Sequence, residues 1–369
     1  MGKFILWQIK RWLVPALVIL GVMTMSMVII AASEPLTYEI NNMTGEPMYY
    51  GSMANNLFFS ASLYAGLISI VFPMFVFNYK FGIRRADFYK QLPFEKNELR
   101  RIIFVMGLVI AMVGVLVSFF LGLGLYLIRY FVYDKSTLIV TEYATEKLYN
   151  FDYKYLLFFV ILLMFTVFAT YSISSLFVYH NVTVFEAIVA IILGQLFLGL
   201  LTLAITQQAV ALYIKNTDQE IDTVYLTFSM ISPVIASSNM NQLFVGFGDG
   251  IWKNLYWNVG TYFLLGIGAF IWLMLVKDRS ADIENEKGKP APITLVAVHG
   301  GFLSVMLFAN MLAGYTIYIS LIINIFVVAT YFFINVLYRH GFKLRLEQWI
   351  PIVASSLVAI ADAIILARP

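Results

Sequence analysis

Hydrophobic and polar positions fall in long blocks along this chain, not in the short rhythms of a water-soluble domain. Continuous apolar runs lie near Trp12–Ala32, Leu57–Asn78, Ile102–Ile128, Tyr155–Tyr179, Phe185–Ile214, Tyr256–Val276, Ile293–Leu312, Tyr315–Leu337 and Ile350–Ala367. Crossing a bilayer core takes roughly 20 apolar residues as a helix. The pattern therefore predicts nine spans and an all-α integral membrane protein. A β-barrel would alternate apolar and polar residues in strands of about ten, and these runs are unbroken.

One block breaks the pattern. Val224–Ala236 is apolar, holds Pro233 near its end and runs to only about 13 residues, which suits a re-entrant or interfacial segment. A crossing there would invert every later span, so a non-crossing segment is the expectation.

Composition agrees with the blocks. The chain is 61% hydrophobic and 12% charged, with a mean hydropathy of +0.84, whereas soluble domains carry about 25% charged residues. There is no cysteine, which removes disulfides and thiolate metal sites. The run after the basic residues 1–11 is too long for a signal-peptide core and reads as a retained first span.

Charge placement sets an orientation. With the N-terminus inside, the segments Met1–Arg11, Lys80–Arg101, His180–Val184, Lys277–Pro292 and Tyr338–Trp349 hold 17 of the 24 Lys and Arg. That is the cytoplasmic excess of cations expected of inner loops. The outer loop Ser33–Asn56 contains Glu34, Glu39 and Glu46 but no Lys or Arg. The Asn42-Met43-Thr44 sequon in that loop reads as a chance match. The predicted organisation is a basic segment 1–11, a six-span unit over 12–276, a polar linker 277–292 and a three-span unit over 293–369.

The most specific polar stretch is Lys80–Arg101, KFGIRRADFYKQLPFEKNELRR. If Ile83–Leu92 is helical, Arg84, Phe88 and Leu92 share a face, Arg85 lies under Tyr89, and Asp87 pairs with Arg84. Pro93 disfavours helix at Leu92 and ends the element. Glu95 and Glu98 then fall at the start of the third span, where negative charge suits the helix dipole. Topology and anionic headgroups account for the cations. They do not account for the Asp87-Phe88-Tyr89 core or its Leu92-Pro93 stop, which suit a docking element.

The string Arg85-Ala86-Asp87-Phe88-Tyr89-Lys90-Gln91-Leu92-Pro93, followed by Lys96, resembles the R-x-D-F-Y-x-x-L-P-x-x-[RK] loop of bacterial ABC-2-type ABC transporter permeases. Arg279-Ser280-Ala281-Asp282 with Gly288 is similar to a second loop of that group, with Asp282 where Glu is usual and the Gly displaced. The resemblance covers roughly residues 1–290 and implies a six-span ABC-2-type core. It makes the loop 80–101 a coupling helix seated on a separate ATPase subunit, with Arg84, Arg85, Asp87, Phe88, Tyr89, Leu92, Pro93 and Lys96 as coupling residues. Arg279 and Asp282 would form the second cytoplasmic loop. The segment Lys3–Trp12, which the residues alone read either as a basic flank or as an interfacial helix, would be an elbow helix.

The resemblance implies an exporter in the bacterial cytoplasmic (inner) membrane, multi-pass with a cytoplasmic N-terminus, and a second permease chain, identical or related, beside it. The cargo it suggests is an amphipathic or hydrophobic peptide, drug or lipid. The chain has no G-x-x-x-x-G-K-[ST] phosphate loop, H-E-x-x-H or G-x-S-x-G. It is accordingly expected not to be an enzyme and to hold no cofactor, with ATP and Mg on the partner ATPase. Membrane lipids are expected partners and nucleic acid is not.

Polar residues inside spans are costly and mark candidate pathways. Gln195, Thr202 and Thr206 share a face of the fifth span, with Gln207 and Gln208 close by. Asn310, Asn324 and Asn335 read as interhelical glue. His180, His299 and His340 are too scattered to suggest a metal site. Asp362 in the last span has no basic partner in sequence, which weakens the alternative, an ion- or proton-coupled secondary transporter. Glycines 107, 114, 122, 124, 194 and 199 suit close helix packing.

Overall fold

A computed structural model describes residues 2–44, 55–81, 95–148, 153–181, 183–192, 194–195 and 263–275, with isolated positions between 322 and 357. The described chain is mostly helical, and four of its helices are long and apolar enough to cross a membrane. They are α1 (Gly2–Ser33), α2 (Asn55–Val76), α3 (Lys96–Val132) and α4 (Tyr153–His180). These are the first four expected spans. The last three expected spans lie outside the described residues apart from isolated positions.

Residues 2–11 are the first turns of α1 and run without a break into its apolar part, with Pro15 inside the helix. Aliphatic side chains supply the helix with low-entropy packing, and the bilayer removes water as a competitor for its backbone groups. Exposed Val, Leu and Phe side chains recur at four-residue steps on α2 (Phe59, Leu63, Leu67, Val71, Phe75) and α3 (Val105, Val109, Val113, Val117). Those ridges leave one face of each helix apolar and uncovered.

The chain divides into two compact units, 1–176 with 233–280, and 177–232 with 281–369. In the first, α3 packs along both α1 and α2. A Cβ added at Gly122 would stand 3.0 Å from Leu57 and 3.1 Å from Met27, so the missing side chain lets three helices meet there. One turn along, Thr24 and Ser118 hydroxyls hydrogen-bond at 3.1 Å across α1 and α3. Gly107 is packed as closely, while Gly124 faces open space.

Aromatic contacts fix the course of α4. Phe119 and Phe58 both stack on Phe159, while Phe104 stacks on Tyr171, so α4 runs antiparallel to α3. The helix Phe263–Leu275 packs on α4 with Phe263 against Phe165, Gly266 against Ala169 and Phe270 against Phe168, and Phe270 also meets Phe104 of α3, which is level with Tyr171. It therefore runs parallel to α4.

The all-helical expectation misses one element. β1 (Thr37–Asn41) and β2 (Ala144–Leu148) pair antiparallel, with Thr37 opposite Leu148 and Asn41 opposite Ala144. Each strand is too short to announce itself in a hydropathy pattern. They meet across about 100 residues because both lie at the same end of the bundle.

In the second unit, α4 ends at His180, and Asn181 closes it by donating from its side chain to the Phe177 carbonyl at 2.6 Å. A new helix starts at 184. Its first turn is closed reciprocally: Glu186 N–H donates to the Thr183 hydroxyl, and Thr183 N–H donates to the Glu186 carboxylate, a capping box. Gly194 then lies against the Phe177 ring, which folds this helix back along the end of α4.

Candidate functional site at the α2–α3 connection

The connection singled out by sequence leaves α2 through a proline. Pro73 has no N–H to give, but its carbonyl accepts from Phe77 N–H at 2.9 Å, so the helical course survives to Val76. Phe77 is fully buried and anchors the exit. A single 3₁₀ turn, Asn78–Phe81, follows, with Lys80 N–H donating to the Phe77 carbonyl at 3.0 Å.

The chain re-enters at Glu95. That residue is extended and occupies the N-cap position of α3 without a side-chain cap bond, and Glu98 lies in the first turn. Both carboxylates sit where the sequence places them, beside the positive end of the helix dipole. Leu99, Arg100, Ile103 and Phe104 turn inward and are buried. The Arg101 Nε is buried with no hydrogen-bond partner among the described residues.

Between the two anchors lies a tight three-helix junction. A Cβ on Gly107 would overlap the Tyr171 hydroxyl and stand 2.9 Å from a Val76 methyl. Tyr171 O–H donates to the Phe104 carbonyl over a long 3.4 Å, and its ring lies 5.5 Å from that of Phe104. Phe270 stacks on Phe104 at 5.7 Å. The last turn of α2, the inner part of α3, α4 and the Phe263–Leu275 helix are thus in one continuous contact. Because Gly107 is level with Val76, α3 continues for about 16 Å beyond the end of α2.

The predicted residues distribute unevenly. Lys96 is the first residue of α3. Gln195 is helical and half-buried in the second unit. Arg84, Arg85, Asp87, Phe88, Tyr89, Leu92, Pro93, Thr202, Thr206, Arg279 and Asp282 lie outside the described residues, as do the Val224–Ala236 segment and Asp362. His180 stacks edge-on against Tyr179.

Two polar features escape sequence reasoning. The first is a run of buried hydroxyls on α4: Thr166, Thr170, Ser172, Ser174 and Ser175. Thr166 donates to the Leu162 carbonyl at 3.0 Å, the usual self-satisfying bond of a helical threonine. The Thr170 and Ser172 hydroxyls have no partner among the described residues. The available signal is the density of small hydroxyls within one apolar run.

The second feature is the polar knot at the opposite end of the bundle. Arg129, near the end of α3, donates from its guanidinium to the carbonyls of Ala31 and Glu34. These are carbonyls at and just beyond the C-terminus of α1, which lack intrahelical donors. Glu34 is 1% exposed, and its carboxylate accepts the Asn56 N–H at the start of α2 over 2.9 Å. Burial raises the Glu34 pKa above its ordinary 4.5, against the lowering pull of the Asn56 bonds and the Arg129 charge. One buried carboxylate and one guanidinium therefore tie three helix ends together.

Comparison of the chain with protein families, curated proteins and solved structures returns no match. What stands is a membrane protein of long apolar helices.

Proposed function

We propose that the chain is the transmembrane permease subunit of an ATP-driven exporter of the ABC-2 type. The observation that carries this reading is Arg85–Pro93, with its Asp87-Phe88-Tyr89 core and proline stop, between two spans of a chain that has no phosphate loop. ATP and Mg would be bound and turned over by partner ATPase subunits seated on residues 80–101 at the cytoplasmic face. Their closure would push the Arg84–Leu92 segment, and the push would enter the bundle through α2 and α3. Two permease chains, identical or related, would enclose the pathway. An amphipathic or hydrophobic peptide, drug or lipid would leave along the polar face of the fifth span, Gln195, Thr202 and Thr206.

Two structural observations support the reading. The Val76–Gly107–Tyr171 junction joins both anchors of the loop to α4 and, through Phe104, to the Phe263–Leu275 helix. A push at the loop therefore has packed side chains to act through. The parallel course of α4 and Phe263–Leu275 also requires an odd number of crossings between them. One crossing by residues 185–214 and a non-crossing Val224–Ala236 meet that requirement, as a six-span core with a cytoplasmic N-terminus demands.

The test is co-purification with the ATPase encoded beside this gene, comparing wild type with the Arg85→Glu/Phe88→Ala double variant. The expected result is capture by wild type, with loss of binding and of coupled ATP turnover in the variant. Capture of no ATPase, or a variant that binds and couples normally, overturns the proposal.

A further inference from the structure

The two-stranded sheet has two chemically different faces. Side chains alternate across a strand, and directly paired residues share a face. Ile40 pairs with Thr145, and Val140 bridges to the other side of Thr145. Ile40, Thr145 and Val140 therefore share one face, joined two residues along by Lys147. The other face places Glu39 directly opposite Glu146. Like charges in that position repel, so this face favours water and a high dielectric.

The sheet also cannot stand far from the spans. Only residues 34–36 separate α1 from β1, and only 149–152 separate β2 from α4. Three extended residues reach about 10 Å. That is little more than the thickness of one headgroup layer, since about 10–15 Å of polar region in total flanks the hydrocarbon core. At the far end of the sheet three apolar side chains are exposed, Val140 at 73%, Met43 at 75% and Tyr143 at 64%, beside the exposed polar residues Asn42, Thr44, Thr141 and Glu142. An upright sheet would hold all three in water. A sheet lying over on its Ile40–Val140 face brings Val140 and Tyr143 to the interface, where Tyr is favoured, and turns Glu39 and Glu146 outward.

We infer that the β1–β2 sheet is a membrane-surface anchor. Its Ile40–Val140–Lys147 face rests on an anionic headgroup layer of the bilayer that the helices cross. Lys147 supplies the charge complementarity, and Asp134 and Glu142 lie outside the paired strands.

The absence of native cysteine makes the test direct. V140C and E39C, each labelled with one environment-sensitive fluorophore, are reconstituted in vesicles of equal parts phosphatidylcholine and phosphatidylglycerol. Each is quenched separately by a nitroxide-headgroup lipid and by aqueous iodide. The expected result is several-fold stronger lipid quenching at V140C than at E39C, with the iodide order reversed. The contrast should shrink in pure phosphatidylcholine and in a K147E background. Equal iodide quenching at both sites overturns the inference. So does protection of V140C from both quenchers, which would mean that protein covers the face. Both positions lie outside the helices, and an unchanged helical circular dichroism signal verifies the fold of each variant.

Discussion

The two ends of the described bundle are held by different physics. At the sheet end, α1, α2 and α3 are joined by directed polar bonds: Arg129 on two α1 carbonyls, Glu34 on the first turn of α2, and a five-pair strand ladder above them. At the loop end, α2, α3 and α4 are joined by shape: a glycine notch filled by Val76 and Tyr171, flanked by Phe104 and Phe270. Directed bonds tolerate little displacement, because hydrogen bonds weaken steeply off their preferred angle. Packed apolar surfaces can exchange one arrangement for another by small sliding steps. In the proposed transport cycle the sheet end would serve as a fixed point, and the loop end as the place where the push is taken up.

The sharpest way to break this contrast is to remove the guanidinium. Arg129→Met leaves two helix-end carbonyls without their donor and the buried Glu34 without its cation. The expected cost is about 3 kcal/mol of stability, read as a lower melting temperature in detergent, with the loop-end packing preserved. A melting temperature within a degree or so of wild type would mean that the knot is ornamental.

Next in size is Gly107→Val, which drives a branched side chain into Tyr171 and Val76. Overpacking of this kind costs about 1–3 kcal/mol. The contrast predicts a second, separate effect: ATP turnover by the captured ATPase should become uncoupled from transport in the protein that remains folded. Full coupling in that fraction would remove the junction from the proposed route.

Glu34→Gln sharpens the comparison by pH. The glutamine keeps an acceptor for the Asn56 N–H but carries no charge to bury. Because burial raises the folded pKa of Glu34, the ionised form is penalised in the folded state, and the penalty is relieved as pH falls through that pKa. Glu34→Gln should therefore be at least as stable as wild type at neutral pH. Its advantage should shrink on acidification and vanish near the ordinary value of 4.5. Thermal unfolding of both proteins across that range checks the sign. A Gln variant that is clearly weaker at neutral pH would show that attraction to Arg129 outweighs burial.

The smallest expected effect is that of Tyr171→Phe. The hydroxyl bond to Phe104 is long, at 3.4 Å, and its loss should cost under about 1 kcal/mol. If shape holds the loop end, the ring suffices.

The spans are legible in the sequence because apolar length is a one-dimensional signal. Expected bounds such as Leu57–Asn78 and Tyr155–Tyr179 lie close to α2 and α4. The start of α3 is legible too, through Glu95 and Glu98. What stays hidden depends on meetings between distant residues. Nothing near Glu39 in sequence announces Glu146, and nothing near Arg129 announces the end of α1, so in sequence it is one more cation in a loop count. The Thr183-x-x-Glu186 box is a local signal, but it marks a helix start that apolar length alone does not locate. The Asn42-Met43-Thr44 sequon has a structural occupation: the Asn42 amide donates to Thr141 and its oxygen accepts from Thr145.

The strand ladder also sets an order of assembly. β1 emerges from synthesis more than 100 residues before β2, so α1, α2 and α3 can pack while β1 still lacks its pairing partner. The ladder can close only after the whole of α3 and residues 144–148 have been made and both strands lie on the same side of the membrane. Its formation thus reports that three crossings have been completed in the right sense. A mis-inserted α3 would leave β2 on the wrong side of the membrane and β1 with an open edge, the kind of exposed strand that invites pairing with another chain.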